Sequence, residues 1–101
     1  MFGLYPNSYK QILSIFQKHE NIEKVIIYGS RAKGNYREGS DIDLTILGNL
    51  NYDELIQLKL EFEESNIPYL IDISIFNDLQ SESLKEHINR VGKIFYNKTE
   101  K

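Results

Sequence analysis

Two aspartates, Asp41 and Asp43, follow a Gly29-Ser30 pair across a spacer of ten residues. In an extended segment, alternate residues share a face, so Asp41 and Asp43 point one way and Ile42, Leu44 and Ile46 the other. Two carboxylates side by side repel each other unless positive charge sits between them, and a divalent cation is the natural partner. Gly29 allows a sharp turn and a close backbone approach to a ligand. Ser30 adds a hydroxyl and a backbone N–H at the start of the next element, and N–H groups at such a turn bind anions, phosphate above all. One segment thus joins a phosphate-cradling turn to a cation-holding pair. Taken singly, a Gly-Ser pair more often just ends a strand, and aspartates more often line a solvated face. The spacing that joins turn and dyad favours chemistry over these plainer readings.

The elements around this segment follow from hydrophobic period. A β-branched run, Lys24 to Tyr28, reads as a strand buried on both faces and leads into Gly29. Ser30 to Asn35 is expected to make one short helical turn, and Tyr36 to Ser40 a polar loop. A second strand runs from about Asp41 to Leu47. Before these, Pro6 suits the first turn of a helix. Tyr9, Ile12, Leu13, Ile15 and Phe16 recur at helical spacing, which predicts a helix over about 6–18. A second helix is expected over about 52–64, acidic at its end with Glu61, Glu63 and Glu64. Pro68 sets up a third strand, about 69–76, in which Ile71, Ile73 and Ile75 share one face and Asp72 and Ser74 the other. A last helix, about 81–90, carries Leu84 and Ile88 inward. Gly92 ends it, Lys93 to Tyr96 returns extended, and the tail from Asn97 is expected to fray. The apolar strand faces should meet helices and leave the polar faces as one open surface.

Bulk properties narrow the function. The 101 residues suit one small domain, 1–101, with a single core. No apolar run reaches the roughly 20 residues a transmembrane helix needs, so no membrane partner is expected. There is no signal-peptide pattern and no cysteine for disulfides or thiolate metal sites, and a cytoplasmic location fits. The net charge of −3 argues against binding long nucleic acid through its phosphates and leaves small nucleotides or proteins as ligands. His19 and His87 fall in no ligand spacing and read as surface residues. Arg31, Lys33 and Arg37 lie between turn and dyad. Arg31 is the best placed to neutralise a triphosphate, and Arg37 reads as a solvated loop charge. Ser40 is suited either to holding the loop or to beginning the strand.

The string Gly29-Ser30-Arg31-Ala32-Lys33-Gly34, ending in Ser40-Asp41-Ile42-Asp43-Leu44, resembles the nucleotidyltransferase superfamily that includes DNA polymerase beta. In its fuller form it resembles the minimal nucleotidyltransferase (MNT) branch. The resemblance spans about Val25 to Tyr96. It implies an α/β nucleotidyltransferase fold, a small mixed sheet of three or four strands with helices packed on one face and the cleft on the other. It also implies that Asp72 is a third carboxylate, so that Asp41, Asp43 and Asp72 hold Mg²⁺ and act in catalysis. Two ions about 3.5–4 Å apart would stabilise the attacking and leaving oxygens. Gly29, Ser30 and Arg31 would bind the triphosphate of ATP, and AMP would pass to a hydroxyl with loss of pyrophosphate. Larger relatives carry a second domain for the acceptor. Stand-alone MNT proteins resemble the antitoxin half of HEPN/MNT toxin–antitoxin pairs, in which the acceptor is a tyrosine of the HEPN ribonuclease. The resemblance therefore implies a HEPN-type protein partner and a homo- or hetero-oligomer. Two other readings stay open: an aminoglycoside-type enzyme acting on a small molecule, and a nucleotide-binding module without turnover.

Overall fold

The computed structural model describes residues 1–99. Helix α1 (Pro6–Gln17) has Pro6 in its first turn, as its missing N–H allows. Strand β1 (Ile22–Tyr28) leads through Gly29 into a short helix, α2 (Ser30–Lys33), which stops at Gly34. Strand β2 (Ile42–Gly48) follows, then α3 (Tyr52–Glu64), β3 (Ile71–Ile75), a single 3-10 turn at Phe76–Asp78, α4 (Glu82–Val91) and β4 (Lys93–Asn97). Two helices begin with side-chain caps: Asn51 accepts from Glu54 N–H at 2.9 Å, and Ser81 from Leu84 N–H at 3.2 Å.

The strands form one mixed sheet in the order β3-β2-β1-β4. β1 is antiparallel to β2 and β4, whereas β2 and β3 are parallel. The parallel pair requires a crossover, and α3 supplies it. Registration places side chains in rows across the strands. Val25, Ile46 and Ile75 form one row and Ile27, Leu44 and Ile73 the next, and both belong to the core. Ile12, Ile15 and Phe16 of α1 and Leu55, Leu58 and Phe62 of α3 cover them.

This arrangement meets the expected mixed sheet with α1 and α3 over one face. α4 differs. Its C-terminal Gly92 lies against Ile26, which alternates with the core residues Val25 and Ile27, and its Ile88 is buried outside the main core cluster. α4 therefore leans on β1 from the opposite side. A register shift in the β1–β4 pairing lets both Phe95 and Tyr96 join the core aromatics. The tail is tied down where fraying was expected: Lys98 N–H donates to Glu23 O at 2.9 Å, and Lys98 Nζ to Glu20 O at 2.8 Å. The expected fraying of residues 100–101 lies outside the described residues.

Phe16 anchors the helical layer. It is fully buried, with its ring 5.6 Å from Phe62 and 6.3 Å from Phe95. Phe16→Ala is expected to cost about 3–5 kcal/mol in urea denaturation. Leu60→Ala, at a half-exposed position on α3, should stay within about 0.5 kcal/mol.

Candidate active site

The polar rows of the sheet converge where β1 ends. Tyr28 pairs with Asp43, and Asp43 with Asp72, so three strands bring one tyrosine and two carboxylates into a line. The next row holds Ile26, Thr45 and Ser74; there the Ser74 hydroxyl donates to Thr45 Oγ1 at 3.0 Å. Asp41 lies just before β2 rather than within it, and Asp41 and Asp72 are exposed while Asp43 is half-buried.

Gly29 closes the site from the other side. Its φ is +79°, a conformation that L side chains rarely adopt, and a Cβ built there would overlap the Asp43 carboxylate. The turn therefore touches the dyad, and only the missing side chain permits it. α2 begins at Ser30, and the first N–H groups of a helix have no partner within it. They are donors at the edge of the carboxylate row.

Electrostatics mark Asp43 as the centre. Desolvation by burial raises its pKa above the ordinary aspartate value, and the charges of Asp72 and Asp41 raise it further. Tyr28 is also raised, first by burial, then by Asp72 and Asp43, with Ser74 opposing. Among the described residues, the ion pairs are those of Glu61 with Lys18 and His19, so none involves the three aspartates. No three acidic or histidine side chains among the described residues are gathered into a ready-made cage. Mg²⁺ does not require one, since it is commonly held by one or two carboxylates together with water and substrate phosphates. An unneutralised carboxylate row beside a turn with no side chain fits such an ion.

The remaining candidates are placed as follows. Arg31 is 3% exposed and turned away from solvent. Its Nε and Nη2 donate to Ser40 O at 3.1 and 3.0 Å, and its Nη1 donates to Phe2 O at 3.0 Å. These bonds place it in the protein interior rather than in a phosphate cradle, so the expected triphosphate contact is not what this geometry displays. Lys33 and Arg37 are exposed. Ser40 holds the loop: its hydroxyl accepts from Arg37 N–H at 2.8 Å, and its own N–H donates to Arg37 O at 3.0 Å. His19 is more enclosed than a surface histidine, with Nε2 2.8 Å from Glu61 Oε2. Tyr28 was not singled out from sequence. The alternation that buries Val25 and Ile27 was the available signal, because it turns Tyr28 toward Asp43.

The raised pKa of Asp43 yields a stability prediction. A carboxyl whose folded pKa exceeds its unfolded value binds its proton more tightly when folded. Its stabilising contribution is present below the unfolded value of 3.8 and is lost as pH rises through the folded value. At neutral pH the ionised carboxylate therefore destabilises the fold. Asp43→Asn is expected to raise the thermal midpoint at pH 7, with the gap to the parent closing at acid pH. A parallel pair of melting curves across that range checks this; a lower midpoint for Asp43→Asn at pH 7 would contradict it.

Comparison with known proteins identifies the family and the fold. The family model "Polymerase beta, Nucleotidyltransferase" matches residues 10–101. A Methanocaldococcus jannaschii protein named as a protein adenylyltransferase is 34% identical over 79 residues, covering 74% of this chain and 79% of its own. The Haemophilus influenzae protein MntA, also named as a protein adenylyltransferase, is 34% identical over 73 residues, covering 70% of this chain and 63% of its own. In fold, the chain resembles a component of a crystallised toxin–antitoxin with AMP-PNP (TM-score 0.68, 19% identity, 92% of this chain and 73% of that one). It also resembles a component of a tri-AMPylated Shewanella oneidensis HEPN toxin in complex with MNT antitoxin (TM-score 0.67, 16% identity, 90% and 71%). With its family match running from α1 to the C-terminus, the chain belongs to the Polymerase beta nucleotidyltransferase family.

Proposed function

We propose that this protein is a Mg²⁺-dependent adenylyltransferase that moves AMP from ATP to a tyrosine hydroxyl of a HEPN-type toxin, and so acts as the toxin's antitoxin. The observation that carries this reading is the contact between Gly29 and Asp43, which makes the phosphate turn and the carboxylate row a single site. Gly29 and Ser30 bind the triphosphate through backbone N–H groups and the Ser30 hydroxyl. Asp41, Asp43 and Asp72 hold the metal. When bound, Mg²⁺ offsets charge on the phosphate oxygens and lowers the pKa of the attacking hydroxyl. The acceptor oxygen forms a bond to the α-phosphorus, the bond to pyrophosphate breaks, and the hydroxyl proton passes to Asp72. The stretch 1–101 works as one unit, in the cytoplasm where ATP is available. No helix among the described residues is long and apolar enough to cross a membrane.

The names of the relatives support a protein acceptor, and both are adenylyltransferases by name. The open face supports it too. α4 leans on β1, and Asp41 and Asp72 stay exposed, so an acceptor reaches the row from outside. In-line attack needs the hydroxyl about 3–3.5 Å from phosphorus, and a docked protein surface supplies that positioning. Glu63 and Glu64 are exposed at the end of α3 and add acidic surface for a basic partner, whereas Glu61 is engaged by His19 and Lys18.

The test mixes the protein with its cognate HEPN protein, Mg²⁺ and ATP and weighs the partner by intact-mass spectrometry. A gain in whole AMP units is expected. Asp43→Asn should lower the rate at least about a hundredfold, since even residues behind a metal ligand cost 10–100-fold. No gain with any nucleotide, together with efficient modification of an aminoglycoside, would replace the protein acceptor by a small molecule. Nucleotide binding with no transfer to either would leave a binding module.

A further inference from the structure

Arg31 is a buried cation with no carboxylate partner among the described ion pairs. Burying a charge is costly unless hydrogen bonds and polarisable neighbours compensate it. Here two carbonyls and two aromatic rings do so. The guanidinium carbon lies 5.0 Å from the Tyr36 ring centroid and 4.9 Å from that of Tyr69, so it is held between two π faces. Nε and Nη2 grip the Ser40 carbonyl as a fork, and Nη1 holds the Phe2 carbonyl.

The four segments it touches are informative. Ser40 immediately precedes Asp41. Tyr69 lies three residues before Asp72, in the lead into β3. Tyr36 belongs to the loop between turn and dyad, and Arg31 itself follows Ser30. The fourth contact, Phe2, is bent to receive it: Phe2 has φ +56°, alone among the described non-glycine residues in having a positive φ. Phe2 stacks on Phe95 at 5.8 Å, and the next residue, Gly3, lacks the Cβ that would overlap the Tyr36 ring. Tyr69 is fixed in turn by the Tyr5 N–H, which donates to its hydroxyl at 3.2 Å.

We infer that Arg31 is a positioning residue for the carboxylate row, setting the entry of Asp41 and the lead into Asp72 against the Gly29-Ser30 turn without itself touching phosphate. The inference rests on the proposal that the row holds the metal. It uses properties of Arg that Lys lacks, a planar fork that bonds one carbonyl twice and a flat cation that stacks between rings. In this role Arg31 acts through the backbone that carries Asp41 and Asp72. Its loss should loosen the metal site, although it removes a positive charge from the neighbourhood.

That contrast gives the experiment its sign. Mn²⁺ is titrated into the nucleotide-free protein and the free ion followed by electron paramagnetic resonance. In Arg31→Ala, nucleotide-free Mn²⁺ affinity should fall about tenfold, as for residues that orient metal ligands, and transfer should lose kcat even at saturating Mg²⁺ and ATP. Arg31→Lys should fail to rescue either quantity. Tyr69→Ala, which removes one stacking wall, should weaken Mn²⁺ binding in the same direction and stands in should Arg31→Ala not fold. A role in phosphate contact or mere charge predicts the reverse: unchanged or tighter Mn²⁺ binding and a raised KM for ATP, with rescue by lysine. Either result overturns the inference. Asp43→Asn separates the two levels. Mn²⁺ affinity lost there but kept in Arg31→Ala overturns the positioning role alone, whereas affinity kept in Asp43→Asn removes the metal reading and the inference with it.

Discussion

The contact between Gly29 and Asp43 sets the geometry of everything near the sheet's polar face. A backbone at φ +79° can lie against a carboxylate only where no Cβ stands between them. The antiparallel register of β1 and β2 makes that contact unavoidable, because Tyr28 is opposite Asp43 and Gly29 comes next. The parallel register of β2 and β3 then fixes Asp72 beside Asp43. Since side chains alternate along each strand, a slip of one residue in either pairing would send an aspartate into the core and an isoleucine into the site. Site and core are thus two readings of one register.

The cost of the site falls on the core. The ionised Asp43, half-buried and repelled by Asp72 and Asp41, weakens a small sheet at neutral pH, and no described cation pairs with it. The opposite rows are filled by Val25, Ile27, Leu44, Ile46, Ile73 and Ile75 under α1 and α3, and their burial offsets that repulsion. Functional groups that weaken a fold are common where chemistry needs them. Here the two kinds of residue sit back to back on the same three strands, so none of those strands serves only one purpose.

Much of this was legible in the sequence because it rests on period and spacing. Alternation in Asp41–Ile46 and Ile71–Ile75 separated the two faces, and the spacing from Gly29 to Asp43 tied turn to dyad. Pro6 and Gly92 bounded helices in the way their backbones dictate. What escaped depends on direction in three dimensions. Arg31 follows Ser30, but successive residues of a helical turn point about 100° apart, so adjacency in sequence does not carry it to the same ligand. The side of the sheet that α4 takes is not encoded in its own pattern, since an inward Ile88 suits either face. The shift that brings both Phe95 and Tyr96 to the core, and the bonds that tie down Lys98, come from pairings distant in the chain.

The arrangement of charge also bears on how the site works. The row of Asp41, Asp43 and Asp72 and the triphosphate of ATP are both anionic, so each alone repels the other. The N–H donors that begin at Ser30 lie close to the row and cannot by themselves neutralise both. A divalent cation shared between carboxylates and phosphates removes the conflict for both partners at once. On the proposed reading, metal and nucleotide therefore enter as coupled ligands, each raising the affinity of the other by the same factor. Such coupling is only as strong as the alignment of the row. A carboxylate displaced from the turn by its own repulsion would hold the metal less tightly and present it less well to phosphate. The buried clamp on the Ser40 carbonyl, one residue from Asp41, acts at the point where that alignment is decided.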